Sequence, residues 1–140
     1  FGDRKGLKLD NGVVTTPEGF KDAYRRLIEN GWNNVAVPET AGGQGLPWIV
    51  SAPITEMFSS ANKAFNMCAG LTLGAIEALN HAGSDELKAR FLHKMVSGEW
   101  TGTMNLTEPQ AGSDVGAIRT RAILQDDGSY RIIFAIHNYD

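Results

Sequence analysis

A chain of 140 residues with 42% hydrophobic and 21% charged side chains can bury a core of its own, which excludes disordered and collagen-like classes. A formal charge of −3 leaves no basic stripe for nucleic acid, so an anionic ligand would need local donors instead of a global field. No apolar run approaches the roughly 20 residues of a membrane-spanning helix.

Residues 1–15 carry little helical pattern. Asp10-Asn11-Gly12 signals a turn and Val13-Val14-Thr15 is extended at best. A helix is predicted next, with Thr16 as cap, Pro17 in the first position and Glu18 at the positive end of the dipole. Phe20, Tyr24, Leu27 and Ile28 form its apolar stripe, and Asn30-Gly31 stops it, with Gly31 free to turn left-handed. The loop Gly42-Gly43-Gln44-Gly45 lacks the Lys-Ser/Thr of a phosphate-cradling loop and reads as a shaped structural turn. Pro47 opens a second helix carrying Ile49, Val50, Ile54, Met57 and Phe58, and Pro53 inside it predicts a kink or a late start.

A third helix is predicted over 64–82, with Phe65, Cys68, Leu73, Ile76 and Leu79 apolar and Gly83 as its end. The single Cys68 excludes an internal disulfide framework and reads as a buried, inert thiol in a reducing compartment. Ser84 caps a fourth helix whose buried stripe is Leu87, Phe91, Met95 and Val96. After Glu99-Trp100 the chain becomes extended. Strands are predicted over 117–124 and 130–136, with Asp126-Asp127-Gly128 as the hairpin turn between them. Helices first and strands afterwards argue for a mainly α chain: a helical domain over 1–99, then the start of a β domain over 100–140. The start without Met or a signal-peptide pattern, and the end inside an apparent strand, suggest a fragment.

The segment Leu106-Thr107-Glu108-Pro109-Gln110-Ala111-Gly112-Ser113-Asp114 carries the most chemistry. It is a strand that breaks into a polar turn. Gly112 has no Cβ, so a bulky anion can approach the backbone. Ser113 and Thr107 add hydroxyls, and successive turn N–H groups make a concave anion site. On spacing alone a plain surface turn with a Ser/Asp cap is the favoured reading, because such turns are common. Glu108 reads as a structural acceptor for nearby N–H groups. His81, His93 and His137 are not spaced as metal ligands, so no metal is expected. Trp32, Trp48 and Trp100 read as packing residues.

Residues Met104–Gly116 resemble the flavin-binding signature of the acyl-CoA dehydrogenases. Three further blocks resemble that family in the right order. They are Gly31-Trp32 with Val37-Pro38-Glu39 and Gly42–Pro47, then Gly83–Lys88, then Gly98-Glu99-Trp100-Thr101-Gly102. The resemblance implies a multi-helical N-terminal domain followed by the first strands of a β-barrel domain, with FAD as cofactor. It implies that Met104 packs near the flavin ring and that Leu106 meets it through the main chain. Thr107 would hydrogen-bond the pyrimidine edge, Gly112 and Ser113 would serve the diphosphate, and Ser113 would also border the acyl-CoA. The implied reaction is α,β-dehydrogenation of an acyl-CoA thioester, with an electron-transferring flavoprotein as acceptor and a homo-oligomer as the full-length form.

The catalytic carboxylate of the family comes from a C-terminal domain, so no catalytic residue is assigned among Glu39, Glu56, Glu77, Glu99 and Glu108. The third helix could line an acyl channel or simply pack the core. Pro47-Trp48 and the stretch from Met57 to Arg121 are similar to the subgroup that includes 3-methylmercaptopropionyl-CoA dehydrogenases. One departure stands out: the Gly-Xaa-Lys step expected after the hairpin is missing, and Ile133-Phe134-Ala135-Ile136 reads as a displaced remnant of the strand that follows it. The expected setting is the cytoplasm, or the mitochondrial matrix in a eukaryote. Two alternatives are an acyl-CoA oxidase, which peroxide production would reveal, and a non-catalytic helical module or inactive truncated product.

Overall fold

The computed structural model describes residues 2–133. The chain is mainly helical and divides into two compact units, one ending at Met104 and the other beginning at Asn105. Among the described residues no helix is long and apolar enough to cross a membrane.

The first unit opens with a short helix, α1 (Gly2–Lys5), and an antiparallel hairpin of β1 (Lys8–Asp10) and β2 (Val13–Thr15). The register pairs Asp10 with Val13, so Asn11-Gly12 is a two-residue loop, and both residues have positive φ (48° and 79°). Such loops match the twist of paired strands, which is why Asn-Gly makes a hairpin here and not merely a turn.

Helix α2 (Phe20–Glu29) starts later than the Thr16-Pro17 signal implied. Pro17 instead closes a turn, its carbonyl accepting from Phe20 N at 3.2 Å, and Gly19 caps the helix at φ 85°. A left-handed residue at 19 cannot continue a helix begun at 17. The far end follows expectation. Gly31 sits at φ 70°, Gly31 N donates to Ile28 O at 2.9 Å, and Trp32 N donates to Leu27 O at 3.0 Å. This pair of bonds is the Schellman arrangement, which satisfies the last carbonyls of the helix.

The 31–47 segment folds back on itself. Gln44 N, Gly45 N and Leu46 N donate to Asn34 O, Val37 O and Val35 O at 3.1, 2.8 and 3.0 Å. These bonds bury Val35 and Val37, and the glycine loop is the structural turn its sequence suggested.

Helix α3 (Trp48–Ala82) merges the second and third predicted helices, with a break at Asn62 (φ −161°, ψ 95°) and not at Pro53. The break falls where the chain can cap its own restart: Asn62 Oδ1 accepts from Phe65 N at 3.1 Å. Asn66 Nδ2 donates to Ser59 Oγ across it at 2.9 Å. Between α2 and the first half of α3 lies an open, mostly apolar groove of about 370 Å³, lined in part by Phe20, Leu27, Trp32, Phe58 and Phe65.

Ser84 caps α4 (Asp85–Leu87), its Oγ accepting from Leu87 N at 3.3 Å. The chain then passes through a π-helical turn (Lys88–Leu92) into α5 (His93–Val96). The wider turn shifts the helical phase, which corrects the predicted stripe. Leu87 is exposed and Leu92 joins Met95 and Val96 inside. With Val37, Ala41 and Ile76 these residues form the core cluster. Cys68 is exposed, against expectation. The buried contacts of α3 begin one turn later, at Thr72 and Ile76, so the apolar neighbours of Cys68 in sequence do not cover it.

None of the three tryptophans is fully enclosed. Trp32 meets the edge of Phe58 and Trp100 leans on Phe91, with Lys94 Nζ 4.4 Å from the Trp100 ring centre.

The second unit holds a hairpin of β3 (Arg121–Leu124) and β4 (Tyr130–Ile133). Gln125 N donates to Ser129 O at 2.8 Å across the expected turn, where Gly128 has φ 81°. The first predicted strand is shorter than foreseen: Ala117 belongs to a 3-10 turn (Val115–Ala117), and Arg119 N and Thr120 N donate to the Glu108 carboxylate. Residues 134–136 of the second predicted strand, and His137, lie outside the described residues.

Candidate functional site

The turn at 108–111 organises the second unit. Glu108 N donates to Ala111 O at 3.1 Å and Ala111 N returns a bond to Glu108 O at 3.0 Å. Pro109, whose φ is preset, occupies the first corner. Ala111 is buried beneath the turn.

The Glu108 side chain then ties this turn to residues 117–120. Its Oε1 accepts from Thr120 N at 2.8 Å and from the Thr120 hydroxyl. Its Oε2 accepts from Arg119 N at 2.9 Å and from Gln110 Nε2. Gln110 Nε2 also reaches Ala117 O at 3.3 Å. Glu108 keeps only 6% of its surface exposed, and both carboxylate oxygens are taken up by these hydrogen bonds. Hydrogen bonding therefore sets its acidity. The Thr120 hydroxyl first, then the Arg119 N–H, hold the pKa down from the ordinary 4.5 to about 2, against a smaller opposing effect of burial. Glu108 is a structural acceptor, as its place in the turn suggested. Its partners Arg119 and Thr120 had no signal in the sequence.

This clasp closes a bow over 112–116, all exposed. Leu106 and Thr107 run into the bridged turn, and Gly112 and Ser113 run out of it. The structure thus brings these four predicted residues to one turn, with both side chains of the polar pair, Thr107 and Ser113, open to solvent. Among the described residues the N–H groups of Leu106, Thr107, Gly112 and Ser113 donate to no protein acceptor. A Cβ built on Gly112 meets nothing within 4 Å, and its φ is not positive. Nothing in the described fold therefore demands glycine at that position. Met104, also exposed, belongs to the first unit.

The other carboxylates are surface groups. Glu39 and Glu56 are exposed, Glu99 pairs with Lys94 at 3.1 Å, and Glu77 lies 3.3 Å from His81 Nε2. The third predicted helix contributes Thr72 and Ile76 to the core, while Met67 and Leu71 of the same helix are exposed.

Residues 11–99 match the acyl-CoA dehydrogenase N-terminal domain. The chain belongs to the acyl-CoA dehydrogenase family. It is 50% identical over 132 residues to the 3-methylmercaptopropionyl-CoA dehydrogenase of Ruegeria pomeroyi, covering 94% of this chain and 22% of that protein. It is 47% identical to a butyryl-CoA dehydrogenase of Syntrophomonas wolfei, covering 93% of this chain and 22% of that one. Among solved structures, the Bacillus anthracis acyl-CoA dehydrogenase complexed with FAD superposes with a TM-score of 0.67 at 32% identity, over 81% of this chain and 20% of that one. The chain thus spans about a fifth of the length of the curated relatives it matches. Family membership accounts for the ordered blocks: the Gly31–Pro47 block builds the folded-back loop, and the Gly83–Lys88 block builds the cap of α4.

Proposed function

We propose that this chain is the flavin-holding N-terminal part of an FAD-dependent acyl-CoA dehydrogenase, whose full polypeptide removes hydrogen across Cα–Cβ of an acyl-CoA thioester. In this reading residues 1–99 are the helical domain and 100–140 the start of the middle β domain. One observation carries the proposal. Glu108 satisfies the donors that hold the turn together, while the N–H groups of Leu106, Thr107, Gly112 and Ser113 and two hydroxyls remain available outside it.

That donor set fits a flavin. Thr107 offers a hydroxyl and an N–H to the pyrimidine edge, beside the Leu106 main chain. Gly112 and Ser113 offer N–H groups and a hydroxyl to a diphosphate, where fixed donors favour negative charge. Met104 would pack near the ring, and Ser113 would border the acyl-CoA. When bound, FAD supplies the acceptor for the β-hydrogen as hydride. By the family resemblance the carboxylate that takes the α-proton comes from outside residues 1–140, and Glu108 is committed to its own loop. Among acyl groups, likeness to the Ruegeria enzyme makes 3-methylmercaptopropionyl-CoA the first substrate to try. The acceptor partner would be an electron-transferring flavoprotein and the working form a homo-oligomer.

The test is FAD titration of the apoenzyme. Ser113→Ala should weaken binding by about 1.5–3 kcal/mol, the range for a hydrogen bond to a charged group, and Thr107→Ala, which meets the uncharged ring edge, by about 0.5–1.5 kcal/mol. Unchanged affinity in both would remove the assignment. The 140-residue chain alone should show no turnover, and reduction of FAD by an acyl-CoA with it would refute the external base.

A further inference from the structure

The segment that leads into the flavin turn is pinned before it arrives there. Gly102 N donates to the hydroxyl of Thr72 at 3.2 Å, and that hydroxyl donates to Cys68 O at 3.3 Å. The Thr72 proton is thus directed into its own helix, which aims a lone pair at Gly102. Thr72 is one of two buried polar or charged residues among those described, and no charge or ligand explains its place on the core side of α3. Gly102 is equally constrained. A Cβ there would lie 2.5 Å from Ala75 Cβ and 2.9 Å from Met95 Cε. The backbone is pressed between α3 and α5 so closely that only glycine leaves room for the hydrogen bond.

We propose that Thr72 is a positioning residue for the start of the flavin segment, fixing Gly102 so that the chain approaches Met104 along one path. Met104 lies two positions after Gly102, with only Thr103 between them. Two extended residues span at most about 7 Å, so a displacement at Gly102 has little slack in which to disappear before Met104. The inference rests on the flavin reading above. Thr72 touches neither flavin nor substrate in this account. It acts through Gly102.

The experiment compares Thr72→Val, which keeps the shape and removes the hydroxyl, with Thr72→Ser, which keeps the hydroxyl. Both are made in the full polypeptide that carries this chain, alongside Thr107→Ala. Hydrogen exchange at the Gly102 amide reads the latch. FAD titration and the visible spectrum of the bound flavin read its consequence. Thr72→Val should expose the Gly102 amide to faster exchange and weaken FAD binding about tenfold, the scale of one lost hydrogen bond. It should also shift the flavin bands, and Thr72→Ser should restore all three. If Thr72→Val does not fold, Thr72→Ala, which removes the hydroxyl without setting a methyl against the Gly102 N–H, takes its place. Wild-type affinity in the Val variant, or a Ser variant as impaired as Val, overturns the latch while loss of FAD in Thr107→Ala leaves the flavin reading standing. Full FAD retention in Thr107→Ala and Ser113→Ala removes the flavin reading and the role of Thr72 with it.

Discussion

The turn at residues 42–45 and the turn at residues 111–116 both carry glycines, yet the fold treats them differently. At Gly43 a Cβ would sit 2.1 Å from Val37 O and 2.4 Å from Val37 Cβ, inside the folded-back loop. At Gly45 φ is 64° and a Cβ would meet Glu39 Cγ at 3.0 Å. At Gly112 there is no positive φ and no neighbour within 4 Å. The first turn spends its backbone donors on itself, through Gly43 N, Gln44 N, Gly45 N and Leu46 N. The second closes through Glu108 and leaves donors outward. A glycine that the fold requires marks construction. A glycine that the fold does not require, beside unused donors, is what the flavin reading of residues 106–113 expects where a ligand approaches.

Substitution by alanine ranks these positions. Gly43→Ala should be the most damaging, by about 3 kcal/mol, because the obstacle is a backbone carbonyl that cannot step aside. Urea unfolding would measure it, and a loss below the noise would break the contrast between the two turns. Gly45→Ala should cost about 1–2 kcal/mol, the penalty of a left-handed alanine, since the Glu39 side chain can move. Both losses should appear with or without FAD.

The second turn has its own signature, in pH. The folded pKa of Glu108, about 2, lies below its ordinary 4.5. Its contribution is therefore complete above about pH 4.5 and is lost as pH falls through 2. Amide exchange at Arg119 and Thr120 should accelerate across that window, and Glu108→Gln should flatten the response. The first turn, which has no carboxylate among these bonds, should show no matching transition. A shared transition in both turns would mean that acid unfolds the chain generally and that Glu108 is not the clasp.

Much of this was open to reading in the sequence, where a local rule decided the outcome. Ser84 capped its helix, Gly31 ended another, and Asp126-Asp127-Gly128 turned the hairpin, because each acts on its near neighbours. Local rules mislead where two of them compete or where a distant partner decides. Pro53 suggested the break in α3, but Asn62 could cap a restart and took it. The π-helical turn moved Leu87 out and Leu92 in, a change of phase that a fixed 3.6-residue period cannot foresee. At the site, the turn and its donors were legible. The clasp was not, because Arg119 and Thr120 lie 11 and 12 residues from Glu108 and present backbone N–H groups, which every residue has. Thr72 escaped for the same reason, being 30 residues from Gly102.

Gly112→Ala is the smallest change in stability and the sharpest division between the turns. With open space around the built Cβ and no left-handed backbone, its unfolding free energy should stay within about 0.5 kcal/mol of the parent. If the backbone at 112 is where a diphosphate comes close, the same methyl should stand between them and weaken FAD binding. Stability and cofactor affinity would then separate at Gly112 and move together at Gly43. A Gly112→Ala protein that binds FAD normally would leave this glycine with no assigned role and confine the cofactor argument to Thr107 and Ser113. One that loses stability as Gly43→Ala does would mean that the outward turn is held by contacts beyond the Glu108 clasp.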